Sequence, residues 1–241
     1  MTLSTRPKSV ALLGMGPSLR SYMDDSFRKK NLQHFDEVWG VNTVHRIFKC
    51  DKIWAMDDLK YGIGHNYPDW ASELKLESIP IITSTAYDEF PTSVAYPLEE
   101  VINKFKGDDF FSNTIAYAIA YAALIEVETL CCCGIDFYYP EAKIVESGLG
   151  CVSYWLGIAK MCGVKYQVPN TSTLLDAHLT QFDTDEKNQI ISQRRLRYGY
   201  DYNPNDAKRK VKNGSGDPNL QAIADKSHKA DIVTLNEVEM K

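Results

Sequence analysis

The chain has 241 residues, 44% of them hydrophobic and 24% charged, with a formal net charge of −5. That length and composition fit a globular protein whose core needs no disulfide staples, and the acidic balance excludes a protein that coats nucleic acid with its whole surface. Residues 1 to 8 are polar and lack a signal-peptide core, and no run of about 18 apolar residues occurs, so a cytoplasmic chain without a membrane partner is expected.

Ser9 to Gly14 (SVALLG) is a short apolar run ending in glycine, the pattern of a buried parallel strand. A helix is predicted over Pro17 to Lys30, with Leu19, Met23 and Phe27 on one face. Strands are predicted over Asp36 to Asn42, Lys52 to Met56 and Ile79 to Thr83, with a short helix over Asp69 to Leu76. Thr92 to Pro97 reads as an extended piece and Leu98 to Phe105 as a helix. Ser112 to Leu124 is alanine-rich and apolar nearly all round, which predicts a buried helix.

Glu128 to Ile135 (ETLCCCGI) is a predicted buried strand. It points Cys131 and Cys133 to the face opposite Cys132, and the paired C-x-x-C spacing of a zinc site is absent. The six cysteines are therefore read as reduced core thiols, with no metal ligands among them. Val145, Leu149, Val152, Leu156 and Ala159 follow helical spacing up to Gly163, a natural C-cap. Val164 to Val168 is the last strand of the series, and Pro169 closes it.

Strands alternating with helices imply an α/β fold: a Rossmann-like, mostly parallel sheet with helices on both faces. Residues 1–180 are expected to form this domain. Residues 181–241 form a polar C-terminal extension with Asn-Pro, Asn-Gly and Asp-Pro turns, read as a tail or helical appendage that is partly disordered in isolation.

The sharpest local signal is Gly14-Met15-Gly16-Pro17-Ser18-Leu19. Glycine allows a sharp turn and close approach to a ligand, and proline suits the first position of the following helix. The first N–H groups of that helix lack intrahelical partners, so an anionic phosphate fits there, with the Ser18 hydroxyl as a further donor. A plain strand-to-helix turn would look the same, and the full G-x-G-x-x-G fingerprint is absent. Its place after the first strand favours a nucleotide.

This turn, together with Gly134-Ile135-Asp136-Phe137-Tyr138 after a late strand and Pro169-Asn170 after the last, resembles bacterial CMP-sialic-acid-dependent sialyltransferases. It also resembles a broader Rossmann-like family that includes flagellar motility accessory glycosyltransferases, the archaeal hydroxymethylpterin pyrophosphokinase and phage-encoded members. The resemblance spans residues 8 to 177. It implies a transferase that uses a nucleotide-activated sugar as co-substrate, holds no tightly bound cofactor and needs no metal.

Under that resemblance Gly14, Gly16, Pro17, Ser18, Asn42, Asp57, Ser112, Asn113, Thr114, Gly134, Asp136 and Phe137 are the candidate donor-binding residues. Asn42 matches an asparagine that contacts the nucleotide, and a turn asparagine is its plainer reading. Ser112-Asn113-Thr114 caps a helix whose start would face the donor phosphate. Tyr138 matches a tyrosine that hydrogen-bonds the departing phosphate, a role a phenol fills without carrying charge. Asp136 would accept from the nucleoside.

The resemblance also calls for a histidine base ahead of the last long helix, and none stands there. Glu146 is the nearest candidate, followed by Asp58 and His45. Asp57 and Asp58, adjacent after the third strand, could hold a sugar hydroxyl, act as a base or simply cap a turn, and under an alternative reading as an ATP-dependent pyrophosphokinase they would bind magnesium. A third reading is a catalytically silent nucleotide-binding or structural protein.

In the extension Arg194, Arg195, Arg197, Lys208 and Arg209 interleave with Tyr198, Tyr200 and Tyr202. Cations for phosphates and rings for bases are the ingredients of nucleic-acid contact, so the acceptor hydroxyl could lie on modified DNA; a solvated tail is the plainer reading. The apolar helix faces suit a core or a subunit contact alike, which leaves a homo-oligomer open.

Overall fold

The computed structural model describes residues 6–28, 35–137, 142–169, 171–175, 180–184 and 190–195. The chain divides into two units, Met1–Ala177 and His178–Lys241. The first is built on seven strands: β1 (Ser9–Leu13), β2 (Glu37–Val41), β3 (Lys52–Trp54), β4 (Ile81–Thr83), β5 (Ser93–Ala95), β6 (Thr129–Cys133) and β7 (Lys165–Gln167). Their spatial order is β5-β4-β3-β2-β1-β6-β7, and every pairing is parallel. This is the Rossmann-like α/β fold expected from the alternation of strands and helices.

The helices are α1 (Leu19–Arg28), α2 (Gly64–Asn66), α3 (Pro68–Leu76), α4 (Leu98–Lys104), α5 (Thr114–Leu124) and α6 (Ala142–Met161). Strand alternation sorts the core onto two faces. Val10, Leu12, Leu130 and Cys132 pack with α5 and α6, whereas Ala11, Leu13, Cys131 and Cys133 pack with Leu19 and Tyr22 of α1. The opposite facing of Cys132 and its neighbours follows from the strand, with the Sγ atoms of Cys131 and Cys133 3.6 Å apart. Among the described residues no helix is long and apolar enough to cross a membrane.

Helix α5 is held over the sheet by rings. Trp39 of β2 and Trp54 of β3 are fully buried, and Tyr121 of α5 lies 5.7 Å and 5.5 Å from them between centroids. Truncating either tryptophan to alanine would cost roughly 3–5 kcal/mol. Ala116, Ala118, Ala120, Ala122 and Ala123 of the same helix are fully buried, and their small side chains let it pack closely.

Most elements fall where the pattern put them, with shorter ends. Helix α1 starts at Leu19, because Leu19 and Arg20 N–H groups turn back to the carbonyls of Gly16 and Pro17. The extended piece at 92–97 contains β5. Two tight turns were not anticipated: a 3₁₀ turn at Asn42–Arg46 and a π turn at Leu59–Ile63 that leads into α2. In the second unit the described segments are β8 (Thr180–Thr184) and β9 (Ile190–Arg195), an antiparallel pair. They are strand where a tail or helix was expected. β-branched Thr180, Thr184, Ile190 and Ile191 favour an extended backbone that the polar composition concealed.

Candidate functional site

Strand order reverses direction around β1, which has β2 on one side and β6 on the other. Beyond the carboxyl ends of such strands an open α/β sheet forms a crevice. Here that crevice is a cavity of about 760 Å³, lined by the ends of β1, β2, β3 and β6, the start of α5 and residues 147–148 of α6. Gly14, Gly16, Pro17, Asn42, Asp57, Ser112, Asn113, Thr114, Gly134, Asp136 and Phe137 all line it. Among the described lining residues the charged ones are Asp57 and Asp136, and no lysine or arginine is among them.

The glycine turn is a joint between two loops. Gly14 N–H donates to Cys133 O at 2.8 Å, and Gly16 N–H to Gly134 O at 2.7 Å. Gly134 itself adopts φ +69°, and a Cβ there would run into the Gly14 backbone. A Cβ on Gly16 would sit 2.5 Å from Asp136 Oδ2. These contacts, rather than a ligand, already require glycine at these places.

Asp136 occupies the place a phosphate was expected to take. Its Oδ2 accepts from Ser18 N–H at 2.6 Å, and its Oδ1 from Thr173 N–H at 3.3 Å. The carboxylate thus caps α1 from a distant loop, where the helix dipole favours negative charge. Ser18 is fully buried and does not line the cavity; its Oγ accepts from Gly134 N–H at 2.9 Å. Ser18 thus ties the two loops together from within the core. The N–H groups of residues 14, 16, 18, 19, 20 and 21 are all bonded, and Met15 alone of the turn has an unpartnered N–H among the described residues.

The start of α5 is different. Asn113 has extended backbone (φ −161°, ψ 159°) and its Oδ1 accepts from Ala116 N–H at 3.0 Å, a normal N-cap. Its Nδ2 donates to Gly148 O at 3.2 Å, and Ser112 Oγ donates to Ser147 O at 3.1 Å. Those bonds moor the helix start to α6. The N–H groups of Asn113, Thr114 and Ile115 and the Thr114 hydroxyl have no partner among the described residues. All three residues line the cavity, so an anion entering it would meet open donors here.

Aromatic side chains shape the rest. Phe111 stacks on Tyr117 at 4.2 Å and on Trp155 at 4.8 Å. Phe137 lies against Gly148, where a Cβ would come within 2.6 Å of the ring. Burial, with Cys151 adding to it, pushes the Tyr117 phenol above its ordinary value, so it remains a hydrogen-bond donor. Tyr117, Phe111, Ser147 and Gly148 were missed from sequence. Tyr117 follows Thr114 by three residues on a helix, a spacing that shares a face; the α6 pair is brought in by tertiary packing and left no local signal.

The two adjacent carboxylates diverge. Asp57 lines the cavity, exposed and without a partner among the described residues, whereas Asp58 Oδ1 accepts from Lys60 N–H at 2.8 Å in the π turn and does not line it. His45 does not line it either. Its Nδ1 donates to Asn42 O at 2.9 Å while Asn42 holds φ +54°, and its Nε2 lies 4.0 Å from Glu77 Oε1. His45 braces the left-handed turn that carries Asn42. Glu146 is on α6 next to Ser147, but its side chain lies outside the described residues. Tyr138, Arg197, Lys208 and Arg209 lie outside them too, as do the side chains of Arg194 and Arg195.

No protein-family model and no curated protein sequence matches the chain. Among solved structures it is similar to the sialyltransferase CstII from Campylobacter jejuni in complex with CMP-3FNeuAc, at 16% identity and TM-score 0.46, over 80% of this chain and 92% of that one. The cytidine-5'-monophosphate complex of the same enzyme gives 16% identity and TM-score 0.45, over 87% and 100%. An apo α-2,3-sialyltransferase from C. jejuni gives 18% identity and TM-score 0.44, over 87% and 95%.

Proposed function

We propose that the protein is a metal-independent glycosyltransferase that passes a sugar from a nucleotide-activated donor to an acceptor hydroxyl. The observation that carries this reading is the open N-terminus of α5 at the switch-point cavity, with three N–H groups and the Thr114 hydroxyl awaiting an anion. Neutral donors of this kind hold a phosphate without a cation. They suit a single phosphodiester, as in a CMP-sugar, better than a polyphosphate, since the described lining holds two carboxylates and neither lysine nor arginine. The volume of about 760 Å³ accommodates a nucleotide and a sugar.

Catalysis in this reading is stabilisation of the leaving phosphate. As the nucleotide departs, charge grows on the phosphate oxygens at the α5 start, and preorganised N–H and O–H donors gain strength with it. Tyr138 would add a phenolic donor, as the sequence resemblance implies, and Asp136 would hold the wall by which the nucleoside enters. An acceptor on nucleic acid draws support from the basic and aromatic residues of the extension.

The pyrophosphokinase reading draws less support, because Asp57 lines the cavity and Asp58 does not, one Asp58 oxygen being bonded to Lys60 N–H. A thermal-shift panel of CMP, CDP, UDP, GDP and ATP, each in EDTA and in magnesium, separates the readings. A dose-dependent rise in Tm with CMP in EDTA is expected. A rise only with ATP and magnesium, or none with any nucleotide, would overturn the transferase reading.

A further inference from the structure

We infer that Asp57 is the catalytic base of the transfer, the group that takes the proton from the acceptor hydroxyl. The inference rests on the transferase reading and names one residue of a pair that the sequence left open between metal, sugar hydroxyl and base. A transfer of this kind needs a proton acceptor beside the reacting carbon. The described titratable groups that line the cavity are Asp57, Asp136 and Tyr117.

Two of the three are unsuited. Both Asp136 oxygens already accept backbone N–H bonds, from Ser18 and Thr173, and taking up a proton would weaken the cap of α1. Tyr117 keeps its proton because burial disfavours the phenolate. Asp57 is exposed to the cavity, has no recorded partner among the described residues, and lies beyond the carboxyl end of β3. Asp58, its neighbour in sequence, is held in the π turn.

Its place in the sheet suits the role. Strand β3 is two places from β1, so the end of β3 lies about 10 Å along the crevice from the glycine turn. That separation leaves room for a sugar ring between the nucleotide at the switch point and an acceptor arriving over β3. The step balances simply. The acceptor O–H gives its proton to the Asp57 carboxylate, its oxygen bonds to the anomeric carbon, and the bond from that carbon to the phosphate oxygen breaks, its electron pair leaving with the nucleoside monophosphate.

The test uses the full chain with CMP-sugar donors and water as the acceptor, reading nucleotide release, with donor affinity measured by calorimetry. For Asp57→Asn, kcat should fall about 100-fold or more while the donor Kd changes less than about twofold. Asp57→Glu should restore part of the rate. A wild-type rate in Asp57→Asn, or a matched loss of donor affinity that makes it a binding group, overturns the assignment. So does a rate that collapses only in Glu146→Gln. A wild-type protein that binds no nucleotide fails earlier and differently, and overturns the transferase reading together with this inference.

Discussion

Two helices begin at the same cavity, and their first turns are built for opposite ends. At α1 the glycine turn supplies close backbone packing, and the N–H groups that a phosphate would seek are bonded to carbonyls of the chain itself and to Asp136. At α5 the cap residue Asn113 bonds Ala116 and leaves the N–H groups before it open. The first turn holds the fold together, and the second leaves its donors open to the cavity. A glycine-rich motif after a first strand is therefore not by itself an anion site; what decides is whether its N–H groups already have partners.

Substitutions at the two turns should separate by kind of effect. The largest is expected at Gly134, whose φ of +69° and contact with the Gly14 backbone leave no place for a Cβ. Gly134→Ala should lose about 3 kcal/mol of stability in a urea titration, or fail to fold. Ser18→Ala removes the acceptor of the buried Gly134 N–H. It should cost about 2 kcal/mol while the folded protein binds CMP as before. A protein of unchanged stability with weakened CMP binding would reverse the roles given to the two turns.

Thr114→Val is the counterpart on α5. It keeps the β-branched shape and removes one open donor, so calorimetry should show CMP binding weakened about tenfold with Tm little changed. The smallest effect is remote from both turns. Asp36 Oδ2 accepts from Lys8 and Ser9 N–H groups at 2.8 Å, and those bonds hold its carboxyl below the ordinary 3.8. A depressed folded value stabilises the protein above the unfolded value and loses that contribution as pH falls through the folded one. Asp36→Asn should therefore flatten the fall in stability below about pH 4, seen in urea titrations at stepped pH.

The same contrast explains what could be read from the sequence. The apolar runs at Ser9–Leu13 and Thr129–Cys133 and the alanines of α5 declare buried elements, because burial is a property of composition and period. The cavity wall was legible at the strand ends, since topology alone directs them there. Partnership was not. Nothing local shows that Asp136 would reach back over 118 positions to Ser18 N–H, that a π turn would separate Asp58 from Asp57, or that His45 would turn onto Asn42 O. The strands at Thr180–Thr184 and Ile190–Arg195 were obscured for another reason: polar residues surround short β-branched runs.

A crystal structure of the wild-type protein with CMP, grown in EDTA, tests the central claim directly. The phosphate should lie within hydrogen-bond distance of the Thr114 and Ile115 N–H groups, with Asp136 still on Ser18 N–H. A phosphate seated on Ser18 N–H, with the Asp136 carboxylate displaced, would contradict the division of roles between the two helix starts.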